Sequence, residues 1–247
     1  MNINGRFEHI TTIVFDLDDT LRYNDPHPHH VFCDYAETLG APLSRGQRRE
    51  AQRWEHRYWA SSEELHKDIE TYEEGSEAFW LNYGRRHLLA LGFPEAQAEE
   101  LAPGVNAHMR ENYNPTGRLH ADTLPTLSAL RASGYSLGLT TNRPKVIHSE
   151  MHALGLDLYM DFYLTAGQLG AYKPRKEIFE NLLKFIRRSA DEVLYIGDNY
   201  FADILGARNA GVQSILLNSN GVYEDVDCLA IRSLSELSAI LGAQPVS

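Results

Sequence analysis

The feature that most constrains the fold is an acidic pentad, Asp-Leu-Asp-Asp-Thr at residues 16–20, directly after the apolar run at residues 12–15. Such a run predicts a buried strand, and the alternation of side chains relaxes where a chain leaves a strand. Asp16 and Asp18 can therefore both face a pocket above the strand end, where open parallel sheets bind ligands. The pentad thus favours an α/β fold with a site at the strand end.

The pentad has two simpler interpretations, an acidic turn and a calcium-binding loop. Asp16, Asp18 and Thr20 match the first, third and fifth positions of such a loop. However, Leu21 stands where the loop needs glycine, and His27 stands where it needs the closing glutamate. The calcium loop is therefore rejected, and the rest of the chain decides between a turn and a functional site.

Charge limits the classes of partner. The 247 residues carry a formal net charge of −11, which argues against a surface for nucleic acid polymers and against a polybasic membrane anchor. An acidic protein that binds an anionic substrate needs a bound cation to offset the repulsion. No segment approaches 18 uninterrupted apolar residues, and residues 1–9 do not resemble a secretion signal. We therefore expect no membrane span, and the sequence makes no prediction of oligomeric state.

The chain has only two cysteines, Cys33 and Cys228, which lie far apart and outside any Cys-x-x-Cys or Cys/His ligand spacing. The sequence therefore predicts neither a disulfide framework nor a zinc site. A chain with unpaired cysteines fits the reducing cytoplasm, which is the expected compartment.

Strand-like and helix-like segments alternate from residue 122 onward. Predicted strands cover residues 12–15, 135–140, 162–165, 193–196 and 214–217, and predicted helices cover residues 122–132, 144–154, 176–187, 202–210 and 235–241. This alternation predicts a doubly wound, Rossmann-like parallel sheet.

Residues 30–113 contain no strand-like run and predict four helices, at residues 30–39, 44–61, 70–91 and 95–112. The predicted organisation is an α/β core of residues 1–22 and 118–247, with an all-helical insert of residues 23–117. Because the insert leaves the chain just after the pentad, we expect it to cap the pocket.

Three further polar motifs follow predicted strands. They are Thr140-Thr141-Asn142, Lys173-Pro174, and Gly197-Asp198 followed by Asp203. Taken singly, each has an ordinary explanation as a helix cap, a solvated lysine or a turn. Taken together with the pentad, they place a hydroxyl, an ammonium and two acidic groups at one edge of a parallel sheet, and this favours a functional site.

The four motifs, in this order, resemble those of the haloacid dehalogenase superfamily, in the phosphatase branch whose helical cap is inserted between the first two motifs, as in phosphoglycolate phosphatases and nucleotidases. Asp16, Asp18 and Thr20 match the first motif, and Lys173 matches the third. Gly197, Asp198 and Asp203 match the fourth. Thr140 and Thr141 both fit the second, and we choose Thr141 because the family's hydroxyl usually directly precedes the asparagine.

The resemblance implies phosphoryl transfer through an aspartyl-phosphate. Asp16 is the expected nucleophile, since a carboxylate is ionised at neutral pH. Asp18 is the expected general acid for the leaving alkoxide and then the base for the hydrolytic water. The implied partner is a small phosphomonoester, with nucleotides, sugar phosphates and phosphoglycolate all open.

The same resemblance implies Mg²⁺ as cofactor, because hard oxygen ligands suit this ion. The expected metal ligands are Asp16, the backbone carbonyl of Asp18, Asp198 and Asp203. The expected phosphate-binding groups are Asp16, Leu17, Asp18, Thr141, Asn142 and Lys173, those of Leu17 and Asn142 being backbone N–H groups.

Asp18 also separates the alternative activities. Carbon–halogen hydrolases of the superfamily resemble one another in lacking an acid at this position, so a dehalogenase is disfavoured. A phosphomutase keeps all four motifs and is the enzymatic alternative. A non-catalytic ligand-binding member has no support, since every motif residue is present.

The insert contains two aromatic and basic clusters that could face substrate. The first comprises Trp54, His56, Arg57, Tyr58 and Trp59, and the second comprises Trp80, Tyr83, Arg85, Arg86 and His87. At helical spacing, Trp54 with Tyr58 and Trp80 with Tyr83 favour core packing. His27, His29 and His30 are interpreted as part of a mobile polar loop rather than as metal ligands.

Overall fold

A computed structural model describes residues 6–40 and 42–242 of the chain, so the two ends of the predicted core, residues 1–5 and 243–247, lie outside the described residues. The chain forms two compact units. One comprises the chain up to Tyr23 together with the chain from Arg118 onward, and the other is Asn24–Gly117.

The first unit, hereafter the core unit, is built on a parallel sheet of six strands in the order β5-β4-β1-β6-β7-β8. Two further strands, β2 and β3, form a two-stranded sheet where the chain passes between the units. The strands are β1 (Thr12–Phe15), β2 (Arg22–Asp25), β3 (Thr116–Leu119), β4 (Ser136–Thr141), β5 (Phe162–Thr165), β6 (Val193–Gly197), β7 (Gln213–Leu217) and β8 (Ala230–Ile231). The predicted parallel α/β sheet is confirmed, whereas β2, β3 and β8 were not predicted.

Alternate residues of β1 pack on opposite faces of the sheet. Ile13 and Phe15 belong to a buried apolar cluster that includes Leu127 of the helix before β4. Val14 belongs to a second cluster that includes Phe179 of the helix before β6. Helices therefore cover both faces, which explains why the strands are apolar throughout.

The helices of the core unit follow the predicted alternation, except that the short helix Ala166–Leu169 was not predicted and two others begin differently. They are α6 (Thr123–Ala132), α7 (His148–Ala153), α8 (Ala166–Leu169), α9 (Lys176–Ile186), α10 (Gly206–Asn209) and α11 (Glu236–Leu241). The helix predicted from Pro144 begins only at His148, and Pro144 lies in a bend. The helix predicted at residues 202–210 begins as a π-helical segment, Tyr200–Leu205, which Asn199 caps through its side chain.

The second unit, hereafter the helical unit, has five helices within its described residues, which omit residue 41. They are α1 (Pro28–Leu39), α2 (Arg45–Trp59), α3 (Glu63–Tyr72), α4 (Glu77–Ala90) and α5 (Glu95–Asn112). The single helix predicted at residues 70–91 is wrong. Glu73 and Gly75 adopt positive φ angles of 59° and 82°, and the Ser76 side chain caps a new helix at the N–H of Phe79.

Packing inside the helical unit decides the roles of its aromatic residues. Tyr58 is fully buried and packs with Trp54, as predicted. Trp80 is 42% exposed, so it is not a core residue and that prediction is wrong. His29 lies in α1 and is 2% exposed, so the interpretation of this residue as part of a mobile loop is also wrong.

Candidate active site

Asp16 is the first residue after β1, and a sharp turn follows it. The backbone N–H groups of Leu21 and Arg22 both donate to the carbonyl of Leu17, at 3.0 and 3.1 Å, and Asp19 adopts a positive φ of 58°. The side chains of Leu17 and Leu21 are fully buried and anchor the turn from below. Asp16 is thereby held at the carboxyl edge of the sheet, with 7% of its surface exposed.

Lys173 lies between the segments that follow β1 and β6. Its ammonium donates to Asp16 Oδ1 and to Asp203 Oδ1, both at 2.6 Å. It also donates to the hydroxyl of Tyr195 at 3.1 Å, and the residue is only 2% exposed. A buried charge is stable only when it is paired and hydrogen-bonded, so these contacts are what allow an ammonium at this depth.

Asn142, directly after β4, positions the backbone of Lys173. Its side-chain oxygen accepts from the Lys173 N–H at 2.7 Å, and its side-chain nitrogen donates to the Lys173 carbonyl at 3.0 Å. These two bonds join segments 31 positions apart. The Asn142 side chain is therefore a positioning group, and its backbone N–H remains the predicted contact to phosphate.

The two threonines at the end of β4 are both buried, at 1% and 2% exposure for Thr140 and Thr141. Successive residues of a strand face opposite sides of the sheet, so only one of the hydroxyls can face a given ligand. The Thr140 carbonyl accepts from the Tyr195 hydroxyl at 2.9 Å. Thr141 stays the predicted second-motif hydroxyl.

Three carboxylates lie together beside Lys173. Asp16, Asp198 and Asp203 each offer an oxygen, and these oxygens lie within 4.8 Å of one another. Asp198 accepts from the Thr20 hydroxyl at 3.1 Å. Asp203 accepts from the Asn199 N–H at 2.9 Å. The first and fourth motifs thus meet, as the topology of a parallel sheet requires.

Gly197 explains how Asp203 can approach this closely. A Cβ at position 197 would lie 2.3 Å from Asp203 Cγ, well inside van der Waals contact. Only glycine leaves room for the Asp203 carboxylate against the end of β6. This steric requirement is a physical reason for the glycine of the fourth motif.

The electrostatics of the cluster favour a bound cation. Burial raises the pKa of Asp16 to about 7, even though the Lys173 ammonium acts in the opposite direction. Burial, together with neighbouring carboxylates, also raises the pKa of Asp198 well above its usual value. Burial alone would lower the pKa of Lys173, but Asp16 and Asp203 raise it well above normal.

When all three carboxylates are ionised, they and one ammonium leave an excess of negative charge in a largely buried space. A hard divalent cation with oxygen ligands would relieve this excess, and the donor set is the one that Mg²⁺ prefers. The residues present therefore fit the predicted metal, with Asp16, Asp198 and Asp203 as side-chain ligands.

Asp18 is held apart from that cluster by arginines. Arg143 donates to it through Nε and Nη2, at 2.9 and 2.7 Å, and Arg22 donates through Nη1 at 2.5 Å. Glu150 pairs with Arg143 and lies 3.5 Å from Arg22 Nη1. The Asp18 side chain is 42% exposed, so it remains open to solvent and ligands.

Sequence reasoning missed four residues of this site: Arg22, Arg143, Glu150 and Tyr195. Two signals were present. Arg143 directly follows Thr141-Asn142, and Tyr195 is the one polar-tipped residue in an otherwise apolar strand. Arg22 and Glu150 gave no signal, because their contact with Asp18 or Arg143 depends on the turn geometry and on where α7 begins.

The chain resembles proteins of known sequence and structure over most of its length. It is 28% identical over 212 residues to ribulose-1,5-bisphosphate 5-phosphatase of Halopiger xanaduensis, covering 84% of each chain. It is 26% identical over 225 residues to glyceraldehyde 3-phosphate phosphatase of Methanopyrus kandleri, covering 88% of each. Among solved structures, a 2-haloacid dehalogenase from Pseudomonas syringae pv. Tomato DC3000 is 27% identical, with a TM-score of 0.52 and coverage of 94% of this chain and 98% of that chain.

The model of the haloacid dehalogenase-like hydrolase family matches residues 10–211, a span that contains all four motifs. The family predicted from those motifs is confirmed, and with it the prediction of an enzyme. The chain belongs to the haloacid dehalogenase-like hydrolases.

Proposed function

We propose that the protein is a magnesium-dependent phosphomonoester hydrolase that acts on a small phosphorylated metabolite. The observation that carries the proposal is the Lys173 ammonium, which lies 2.6 Å from both Asp16 and Asp203 at the carboxyl edge of the sheet. The names of the two relatives above, both phosphatases of small phosphorylated compounds, support the same reaction class.

In the proposed reaction, an oxygen of Asp16 attacks the phosphorus of the substrate. The bond from phosphorus to the ester oxygen breaks, and the phosphoryl group is transferred to Asp16 as an aspartyl-phosphate. For this step Asp18 must be in its carboxylic-acid form: it gives its proton to the leaving alkoxide, which departs as an alcohol, and Asp18 becomes a carboxylate. Asp18 then takes a proton from a water molecule, which attacks the aspartyl-phosphate and releases inorganic phosphate.

The remaining groups bind the phosphoryl oxygens. Lys173 and Thr141 supply an ammonium and a hydroxyl, and the backbone N–H groups of Leu17 and Asn142 supply further donors. A bound Mg²⁺ would add positive charge opposite the phosphoryl oxygens. Asp16, the Asp18 carbonyl, Asp198 and Asp203 are its proposed ligands.

Arg143 and Arg22 are proposed as positioning residues for Asp18. A bidentate guanidinium contact fixes the direction of a carboxylate, so Asp18 is aimed before substrate binds. The helical unit is proposed as the cap that selects the substrate and excludes water. The cytoplasm remains the proposed compartment, and the two free cysteines support it.

Phosphate release from p-nitrophenyl phosphate tests the proposal. We expect turnover that requires Mg²⁺ and that falls by at least about 10³-fold in Asp16→Asn, since the nucleophile is lost. Asp227→Asn is the matched control, because Asp227 is an exposed carboxylate of the same unit that pairs with Arg208, and its activity should not change. Turnover in Asp16→Asn equal to that of the wild type would contradict the assignment.

Two alternatives are distinguished by the product that each would release. A phosphomutase would release phosphate slowly and would be activated by a bisphosphate. A dehalogenase would release halide from a 2-haloacid and would not need Asp18 as an acid. A panel of nucleotides, sugar phosphates, ribulose bisphosphate, glyceraldehyde 3-phosphate and phosphoglycolate would then rank the substrates.

A further inference from the structure

The helical unit contains a second cluster of metal-ligating side chains, formed by His29, Cys33 and His87. His29 and Cys33 lie one turn apart on α1, and His87 lies on α4. All three are buried, at 2%, 0% and 1% exposure. One ligand atom from each lies within 4.8 Å of the other two. We refer to these three residues as the His-Cys-His cluster.

The spacing between His29 and Cys33 fits a shared tetrahedral ion. Cys33 Sγ lies 3.5 Å from His29 Nε2. An ion with a metal–sulfur bond of about 2.3 Å and a metal–nitrogen bond of about 2.05 Å, at a tetrahedral angle, separates these two atoms by about 3.5 Å. The i, i+4 spacing on α1 thus produces the required distance without rearrangement of the helix.

Glu55 of α2 orients the imidazole of His29. Its Oε2 lies 2.5 Å from His29 Nδ1, and its Oε1 accepts from the Tyr83 hydroxyl at 2.8 Å. When Nδ1 carries the proton and donates it to Glu55, the lone pair of Nε2 faces Cys33. A carboxylate that accepts from the outer nitrogen of a ligating histidine is a recurrent support of metal sites.

No hydrogen-bond network accounts for the burial of His87. Among the described residues, neither of its ring nitrogens has a hydrogen-bond partner, although Glu55 Oε1 lies 3.7 Å from Nδ1. Its ring stacks on Phe32 at 3.9 Å and on His29 at 5.3 Å between centroids. A buried polar group without a partner is unfavourable. A thiol–imidazole contact would account for Cys33 and His29, but it would still leave His87 unsatisfied.

We propose that His29, Cys33 and His87 bind a divalent transition-metal ion of the Zn²⁺ class inside the helical unit, with Glu55 as a positioning residue. Thiolate and imidazole ligands select such an ion over Mg²⁺. On binding, the Cys33 thiol releases its proton to solvent and the thiolate coordinates the ion. The thiolate and the Glu55 carboxylate balance the charge of the ion. With three protein ligands, the fourth position of the tetrahedron would be taken by a water molecule. The site is independent of the phosphatase proposal.

A cobalt titration tests this site directly on the full chain. Metal-stripped protein is first given excess Mg²⁺, so that the carboxylates of the core unit are occupied, and Co²⁺ is then added. We expect the near-ultraviolet charge-transfer absorption of a thiolate–Co²⁺ bond, saturating at one ion per chain. Zn²⁺ should abolish this absorption by displacement, and equilibrium dialysis should give the same stoichiometry.

The two cysteines provide a matched pair of variants. Cys33→Ser should lose the charge-transfer absorption, and Cys228→Ser should retain it. Glu55→Gln should retain the absorption but bind Co²⁺ about 10- to 100-fold more weakly, as expected for a group that orients a ligand. This change in affinity with an unchanged spectrum separates positioning from direct coordination.

Either of two results would overturn the proposal: no charge-transfer absorption in the wild type, or an equal absorption in Cys33→Ser. If Cys33→Ser does not fold, the wild-type spectrum still decides the question. Equilibrium dialysis of His87→Gln then provides a second test. We expect this variant to bind Zn²⁺ more weakly than the wild type, and unchanged binding would count against the site.

Discussion

The core unit and the helical unit each bring ligand atoms together in a buried space, and they do so with opposite chemistry. In the core unit, Asp16, Asp198 and Asp203 present oxygens to one another, and the Lys173 ammonium pairs with Asp16 and Asp203. We refer to these three carboxylates as the oxygen cluster. In the helical unit, the His-Cys-His cluster presents nitrogen and sulfur. Oxygen ligands suit Mg²⁺, which keeps bound waters that a substrate can replace. Thiolate and imidazole ligands bind a transition-metal ion tightly.

The two clusters also differ in how the chain assembles them. Asp16 and Asp198 directly follow β1 and β6, and Asp203 lies in the helical segment just after β6. Parallel strands end at one edge whatever their separation in sequence. The His-Cys-His cluster depends on which faces of α1 and α4 meet. The first arrangement follows from topology alone, and the second follows from helix packing.

The largest effect is expected from replacing Lys173, whose ammonium pairs with two carboxylates of the oxygen cluster. Lys173→Met would leave Asp16 and Asp203 as buried carboxylates without their partner, which should lower the free energy of unfolding of metal-free protein by about 3 to 5 kcal/mol. Activity should fall by about 10²- to 10³-fold, because a donor to the phosphoryl oxygens is lost. Urea unfolding and phosphate release measure the two effects.

Lys176→Met is the control for that variant. Lys176 is three residues away, its side chain is 57% exposed, and it pairs with Glu180 on the surface of α9 at 3.2 Å. Its loss should change stability by less than about 0.5 kcal/mol. Equal effects of the two substitutions would mean that the Lys173 contacts do not stabilise the core unit.

The pH dependence of metal-free protein tests the charge excess of the oxygen cluster. Burial raises the pKa of Asp16 from 3.8 to about 7, so in this range the folded state binds more protons than the unfolded state. The stabilisation from this group is complete below pH 3.8 and is lost as the pH rises through about 7. Mg²⁺ should therefore raise the melting temperature more at about pH 8 than at about pH 5.

Asp16→Asn serves as the reference in that experiment. The amide does not titrate, so the difference between the two pH values should shrink. An equal Mg²⁺ effect at both pH values in the wild type would show that ionisation of the oxygen cluster is not linked to metal binding.

The sequence predicted the oxygen cluster because its residues lie at or shortly after strand ends, and because the alternating apolar segments predicted a parallel sheet in which those ends share one edge. It could not predict that Arg143 would donate hydrogen bonds to Asp18, since that contact depends on the bend at Pro144 and the late start of α7 at His148. Nor could it predict the break between α3 and α4. Glu73 has no residue-type preference for the positive φ that ends α3 there.

The His-Cys-His cluster escaped prediction for a different reason. His29 and Cys33 are four positions apart but match no zinc motif, and the third ligand is 54 positions beyond Cys33 on another helix. Only the rotation of α4 about its axis decides whether His87 faces α1 or solvent. Apolar periodicity leaves that rotation loosely defined in a helix where Trp80 is exposed and His87 is buried.

An intermediate effect is expected from filling the space beside Asp203. In Gly197→Ala the new Cβ would lie 2.3 Å from Asp203 Cγ, and Asp203 is itself 1% exposed. The Asp203 side chain must shift from its position, at a cost of roughly 1 to 3 kcal/mol in stability. Activity should fall with it. Wild-type activity and stability in Gly197→Ala would show that the close approach of Asp203 is dispensable.

A smaller effect, whose sign depends on metal, is expected at His87. In the presence of a chelator, His87→Leu removes two buried nitrogens that lack hydrogen bonds and should raise the free energy of unfolding by about 1 kcal/mol. In the presence of Zn²⁺ the wild type should become the more stable protein, because only it retains all three ligands. Thermal unfolding with and without Zn²⁺ measures both. The same order of stability in both conditions would argue against the His-Cys-His site.

The smallest effect is expected at Gly104, on the exposed surface of α5. A Cβ there meets nothing within 4 Å, so the alanine side chain makes no new contact. Gly104→Ala should raise the free energy of unfolding by about 0.4 to 1 kcal/mol, since it restricts the unfolded chain and favours helix. Because the methyl group touches neither cluster, the gain should be equal with Zn²⁺ and with chelator. A gain in the free energy of unfolding that changed with Zn²⁺ would mean that the metal alters the whole helical unit. The sign change expected for His87→Leu could then no longer be assigned to loss of the His87 ligand.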